Sequence, residues 1–351
     1  KIIFTIFFIT YLGVRYNLFF IVKNCPECYD NNLCHFFKTN IIQLNWFSSL
    51  LLIFNPKLTK SVFYGTLNKT ELVVVKRKTS KIKEFNLKEN NNNNIKYVNN
   101  DLSNIILCQG FDSLQLLYKN VVESVKKNQL WSFLDVSIEP LLMLYFQSLG
   151  KSGFPKYIGA CGDFLVEEYK GLPLDNFLSC DFKTRALLSI KLLNLANVFT
   201  FGSSDFIFYF TDISLYNIVV DKHGNVSLVD LDNVIIFDKK SQKSSSVKAK
   251  VHKTEIWNDN DDDYSFSSSD ICSHYLSDHN YYSICTHILS HSDHGLLKEI
   301  PRTITNLNPD LEFLLNECKK PTKINDRVTA GEKLAKLLEK ITVGYSWQHF
   351  I

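Results

Sequence analysis

The chain alternates short β-branched runs with longer stretches whose apolar residues recur every three or four positions. Glu71-Leu-Val-Val-Val-Lys76 is a run of the first kind. It predicts a strand ending at Lys76, because β-branched side chains suit a pleated surface and lose rotamer freedom in a helix. Ile218-Val-Val and Val226-Ser-Leu-Val are two more, joined by the turn composition Asp221-Lys-His-Gly224. FLVEEY and the segment around Tyr157 also read as strands. Helical spacing marks Leu142, Phe146 and Leu149, then Leu188, Leu192, Leu195 and Phe199, then Leu334, Leu337, Leu338 and Ile341. Pro140 suits the first turn of the first of these helices and puts Glu139 at its start. Residues 41–54 are apolar but too short and polar-dotted to span a bilayer, and are expected as one buried helix. A further helix is expected around Leu114 to Lys127. The tract KEFNLKENNNNNIKYVNND, with five consecutive asparagines, reads as a solvated loop. Gly171-Leu-Pro173 reads as a hinge.

The polar residues at the ends of these elements carry the chemistry. Asp212 and Asn217 lie five residues apart after an apolar run, and the hairpin that follows ends at Asp230. The catalytic loop of protein kinases has this Asp-to-Asn spacing, followed by a hairpin that delivers a metal-binding Asp. In that chemistry Asp212 takes the proton of an acceptor hydroxyl. Asn217 and Asp230 offer hard oxygen ligands suited to magnesium or manganese. An ATP-using site also needs a strand-borne lysine for the phosphates and a helix-borne glutamate to orient it, and Lys76 and Glu139 fill those roles. The plain alternatives are an ordinary hairpin with solvated acids, a strand-end lysine, and a glutamate that favours a helix dipole.

These motifs, with the opening CPECYDNNLC, the lysine strand VVVKR and the blocks FPKYIGACG and SDHNYYSIC, resemble the divergent protein kinase domain family and its second subgroup. The resemblance runs from about Cys25 to the C-terminal helix. It implies an α+β, two-lobed kinase-like fold with a small β-rich N-lobe (23–170, with the cysteine-rich opening), a larger helical C-lobe (171–351), and disulfides. It also implies a secretory-pathway protein, retained in the Golgi or secreted. Several kinase parts differ. Phe210-Thr211-Asp212 stands for His-Arg-Asp, and Asp230-Leu231-Asp232 for Asp-Phe-Gly. No Gly-rich loop precedes Lys76, where Gly65 stands alone, and no Ala-Pro-Glu follows Asp230.

Composition adds bounds. With 351 residues, 45% of them hydrophobic, the chain can bury a sizeable core. A net charge of +3 gives no reason to expect nucleic acid or a polybasic membrane surface. Residues 1–22 hold an apolar run broken by Arg15, expected as a signal peptide or signal anchor. Lys1 in place of Met suggests that the extreme N-terminus precedes this sequence. Nine cysteines behind such a leader point to disulfides, with Cys180 the candidate for the odd one. Asn68-Lys-Thr70 and Asn225-Val-Ser227 are glycosylation sequons. The Ser/Lys-rich and acidic stretches between Lys239 and Asp270 are expected as solvated loops in the place of an activation segment. His287, His291 and His294 are expected on an exposed helix end.

Two functions fit. One is a lumenal phosphotransferase that binds ATP with Mg or Mn and acts on a hydroxyl of a lumenal or extracellular protein or glycan. The other is an inactive pseudokinase, secreted as a ligand for a cell-surface receptor or serving as a scaffold.

Overall fold

A computed structural model of the chain describes residues 32–54, 60–78, 88–89, 95–96, 105–108, 116–117, 119–121, 137–151, 153–202, 204–240, 247–254, 266–322 and 326–347. They fall into two compact units divided after Tyr169, with the strand Ile105–Leu107 belonging to the second. The leader, Cys25, Cys28, most of the 114–127 segment and the acidic run lie outside the described residues.

The first unit is built on a five-stranded antiparallel sheet. Its order is Ile42–Leu44, Lys60–Leu67, Glu71–Lys78, Phe164–Glu168, Tyr157–Cys161. The valine run forms the central strand, with Lys76 inside it rather than at its end. Alternation puts Val73 and Val75 on one face, where they pack with Phe63, Phe164 and Val166. Val74 and Lys76 occupy the opposite face and are also buried. The Cys34–Cys161 disulfide ties the short helix Cys34–Lys38 to the last strand.

Residues 41–54 are not one buried helix. Ile42–Leu44 pairs with the next strand, and a separate helix covers Trp46–Phe54 with Trp46 and Phe47 exposed. The break is chemical: the Asn45 side chain accepts the amide N–H of Ser48 at 2.8 Å, an N-cap bond that starts a new helix there.

The second unit centres on the helix Phe182–Phe201, which Asp181 caps by accepting the Thr184 N–H at 3.1 Å. Its buried face includes Leu188, Leu192 and Phe199. Phe206–Phe210 pairs antiparallel with Val234–Asp238, which pairs in parallel with Ile105–Leu107. A second small sheet joins Val226–Leu228, Ile218–Val220 and Leu172–Pro173. Gly171, expected at a hinge, is held against this sheet at φ +129°. A Cβ there would meet the Val220 carbonyl oxygen at 2.0 Å, so only glycine fits. The helices Asp310–Lys319 and Arg327–Ile341 complete the unit, with the disulfides Cys108–Cys272 and Cys285–Cys318. Cys180 is the free cysteine among the described residues. No described helix is long and apolar enough to cross a membrane.

Candidate active site

The first unit holds one set of the predicted residues. Lys76 Nζ lies 2.6 Å from Glu139 Oε1, and both side chains are buried. Glu139 opens the helix Glu139–Ser148, with Pro140 in the first turn as expected. That helix start is itself fixed, because the Glu139 N–H donates to Ser137 Oγ at 3.1 Å. A third group joins the pair: Glu167 Oε1 lies 2.9 Å from Lys76 Nζ and is equally buried. Two buried carboxyl groups therefore share one lysine side chain away from water. Arg77, the next residue, points to the other face and pairs with Asp163 at 2.7 Å.

The second unit holds the other set. Phe206–Phe210 leads into the loop that carries Asp212. The strand is anchored by Asn280, whose side-chain N–H donates to Phe208 O at 2.9 Å while its carbonyl accepts the Phe210 N–H at 3.3 Å. This gives the SDHNYYSIC block a structural reason. Asn217 donates to the backbone oxygen of Asp212 at 2.9 Å, closing the loop on itself. Asn233 donates to the Asp212 carboxylate at 3.1 Å and so aims it. The hairpin Ile218–Val220 with Val226–Leu228 then carries the chain to Asp230, and the Val229 N–H donates to Asn217 O at 2.8 Å. Asp221 makes the turn by accepting the amides of His223 and Asn225, both at 2.8 Å. Burial alone would raise its pKa, but these bonds outweigh that and hold its carboxyl below the ordinary value.

Asp230 has φ +59°, a left-handed backbone that costs a non-glycine residue free energy. Such strain concentrates at sites with a function. The amide oxygen of Asn217 and the carboxylate of Asp230 are hard donors, a chemistry that fits magnesium or manganese.

Three features escape a reading of the sequence. Glu167 reaches Lys76 only through the pairing of its strand with the valine strand, and the one available signal is an acid inside the apolar run FLVEE. Asn233 follows the Asp-Leu-Asp motif, but its service to Asp212 spans 21 residues. The histidines are not on an exposed helix end. His291 is buried, His287 and His294 are half-buried, and all three line a cavity with Asp212. The i, i+4, i+7 reading assumes an α-helix, whereas Ser283–Leu289 is a π-helical turn and the chain leaves it at Ser290.

A β-sheet first unit with a buried lysine–glutamate pair, and a helical second unit with an Asp-x4-Asn loop and a hairpin ending in Asp, define a protein-kinase-like domain. Residues 130–321 match the protein-kinase domain of FAM69. The chain belongs to that divergent kinase family. It is 31% identical over 245 residues to Divergent protein kinase domain 2A of Xenopus tropicalis and 30% identical over 245 residues to the Homo sapiens protein of that name. Each alignment covers 66% of this chain and 56% of the relative. Divergent protein kinase domain 2B of Homo sapiens is 28% identical over 142 residues, covering 40% of this chain and 29% of its own. The chain thus spans little more than half the length of the 2A relatives it matches.

Proposed function

We propose that the chain is a nucleotide-binding member of its family that transfers phosphate from ATP to a hydroxyl of a secretory-pathway or extracellular protein or glycan. The observation that carries this reading is the buried Lys76–Glu139 contact at 2.6 Å, made between residues 63 apart in the sequence. A lysine held this way is the phosphate-binding device of kinases, and stability alone gives little reason to bury an ion pair. Lys76 would hold the phosphates and Glu139 would orient it. Asp212, aimed by Asn233, would accept the acceptor's proton. Asn217 and Asp230 would hold magnesium or manganese, which neutralises phosphate charge when bound. The paired cysteines and the exposed Asn68 sequon at a turn support an oxidising, lumenal setting.

One observation favours the pseudokinase alternative. The connection between the antiparallel strands Ile42–Leu44 and Lys60–Leu67 carries the helix Trp46–Phe54 where a phosphate-covering loop would need glycines. Gly65 does not substitute, since its absent Cβ makes room for the Gln43 backbone, which would lie at 2.5 Å. The test is ATP turnover by the purified protein with Mn or Mg, beside Asp212→Asn. Turnover lost by about a hundredfold or more in the variant supports the transferase. Equal background in both supports the ligand or scaffold reading.

A further inference from the structure

We propose that the cavity beside Asp212 is the acceptor subsite and that it is built for a sugar, a neutral hydroxyl-rich ring. This rests on the kinase-like reading for the role of Asp212, and on the geometry of the second unit for the rest. The cavity has a volume of about 570 Å³ and is lined by Asp175, Asp212 and Tyr216 together with His287, His291 and His294. That volume suits a compact ligand, whereas an extended peptide needs a groove or a free sheet edge.

The histidines are delivered by rigid structure. The π-helical turn Ser283–Leu289, a rare conformation that recurs at functional sites, carries His287. Its base is fixed to the helix Asp310–Lys319 by the Cys285–Cys318 disulfide. The chain then folds back, with the Leu296 N–H donating to Ile288 O at 2.8 Å and the Leu297 N–H to Leu289 O at 2.9 Å. The Arg185 guanidinium clamps the returning segment by donating to the carbonyl oxygens of Leu296 at 2.7 Å and Lys298 at 2.8 Å. Gly295 allows the reversal, because a Cβ there would lie 2.7 Å from the carbonyl oxygens of both His291 and Leu289. The opposite wall is tied in as well: the Leu174 N–H, beside Asp175, donates to Leu215 O at 3.0 Å.

The chemistry of the wall selects the ligand. His291 Nδ1 accepts the Asp293 N–H at 3.1 Å. Its ring stacks on His294 with centroids 3.5 Å apart. Imidazoles beside two carboxylates form a mixed wall of donors and acceptors, and a sugar hydroxyl both donates and accepts. An acidic or phosphorylated ligand would instead meet Asp175 and Asp212 as like charges. Tyr216 is 69% exposed and contributes a flat ring to the cavity, a surface for the C–H face of a pyranose.

Saturation-transfer NMR on the purified protein without nucleotide tests this, with free xylobiose, lactose, chitobiose and mannobiose as probes and a mixture of Ser- and Thr-containing peptides beside them. At least one disaccharide is expected to bind. Tyr216→Ala and His294→Gln, at exposed and half-buried positions, are each expected to weaken binding about tenfold at unchanged melting temperature. No sugar binding up to about 10 mM overturns the proposal, as does saturation of the peptides instead or sugar binding that neither substitution moves. Because no nucleotide is present, an ATP response without a sugar signal would keep the kinase reading and sink only the sugar subsite.

Discussion

Lys76 is shared between Glu139 at 2.6 Å and Glu167 at 2.9 Å, and that sharing sets what substitutions there will do. Lys76→Met leaves two buried carboxylates without their cation. It is expected to cost about 3–5 kcal/mol of stability in denaturant unfolding. Glu167→Gln keeps the Glu139 contact and is expected to cost much less. His279 behaves differently. Burial pushes its imidazole down to about 3, although a backbone bond at Phe210 opposes the shift. A depressed folded pKa means that its contribution is complete above the ordinary value of 6.5 and is lost as pH falls from there toward about 3. Melting temperature is therefore expected to fall across that window, and less steeply in His279→Gln. At this scale the sequence is legible where an element is local. Lys76 lies in one β-branched run and Glu139 opens one helix, so both can be picked out without tertiary knowledge. Glu167 and Asn233 cannot, because their partners are chosen by strand pairing and by a contact 21 residues away.

Among the elements, the hairpin before Asp230 is the most tightly specified. Gly224 has φ +73°, and a Cβ there would lie 2.4 Å from Cδ2 of Trp347, whose indole N–H donates to Lys222 O at 3.1 Å. Gly224→Ala is expected to destabilise by about 1–3 kcal/mol, read as a lower denaturation midpoint at unchanged slope. Asp181→Ala removes the N-cap of Phe182–Phe201 and should cost about 1 kcal/mol. Hairpins and long amphipathic helices are readable because turn chemistry and a 3.6-residue period are written locally. Two other elements are not. Residues 41–54 look uniformly apolar, yet the Asn45 side chain divides them into strand and helix. The π turn at Ser283–Leu289 changes which histidines share a surface, and no propensity announces it.

Across the whole molecule, each unit has its own core and its own covalent ties, Cys34–Cys161 in the first and Cys108–Cys272 and Cys285–Cys318 in the second. Nine cysteines announce disulfides, but the pairing follows from which strands and helices meet. Cys285→Ser with Cys318→Ser, which opens a link spanning 33 residues, is expected to cost about 3–4 kcal/mol. The proposal tested first is that this divergent kinase domain binds a metal nucleotide, with Asp230 as a metal ligand. Melting of the purified protein with ATP and Mn or Mg, beside Asp230→Ala, tests it most directly. Saturating ATP at about 100 times its dissociation constant adds roughly 2.7 kcal/mol, a shift of several degrees. The predicted result is a shift that requires metal and disappears in Asp230→Ala. No shift with either metal, or an equal shift in the variant, would contradict it.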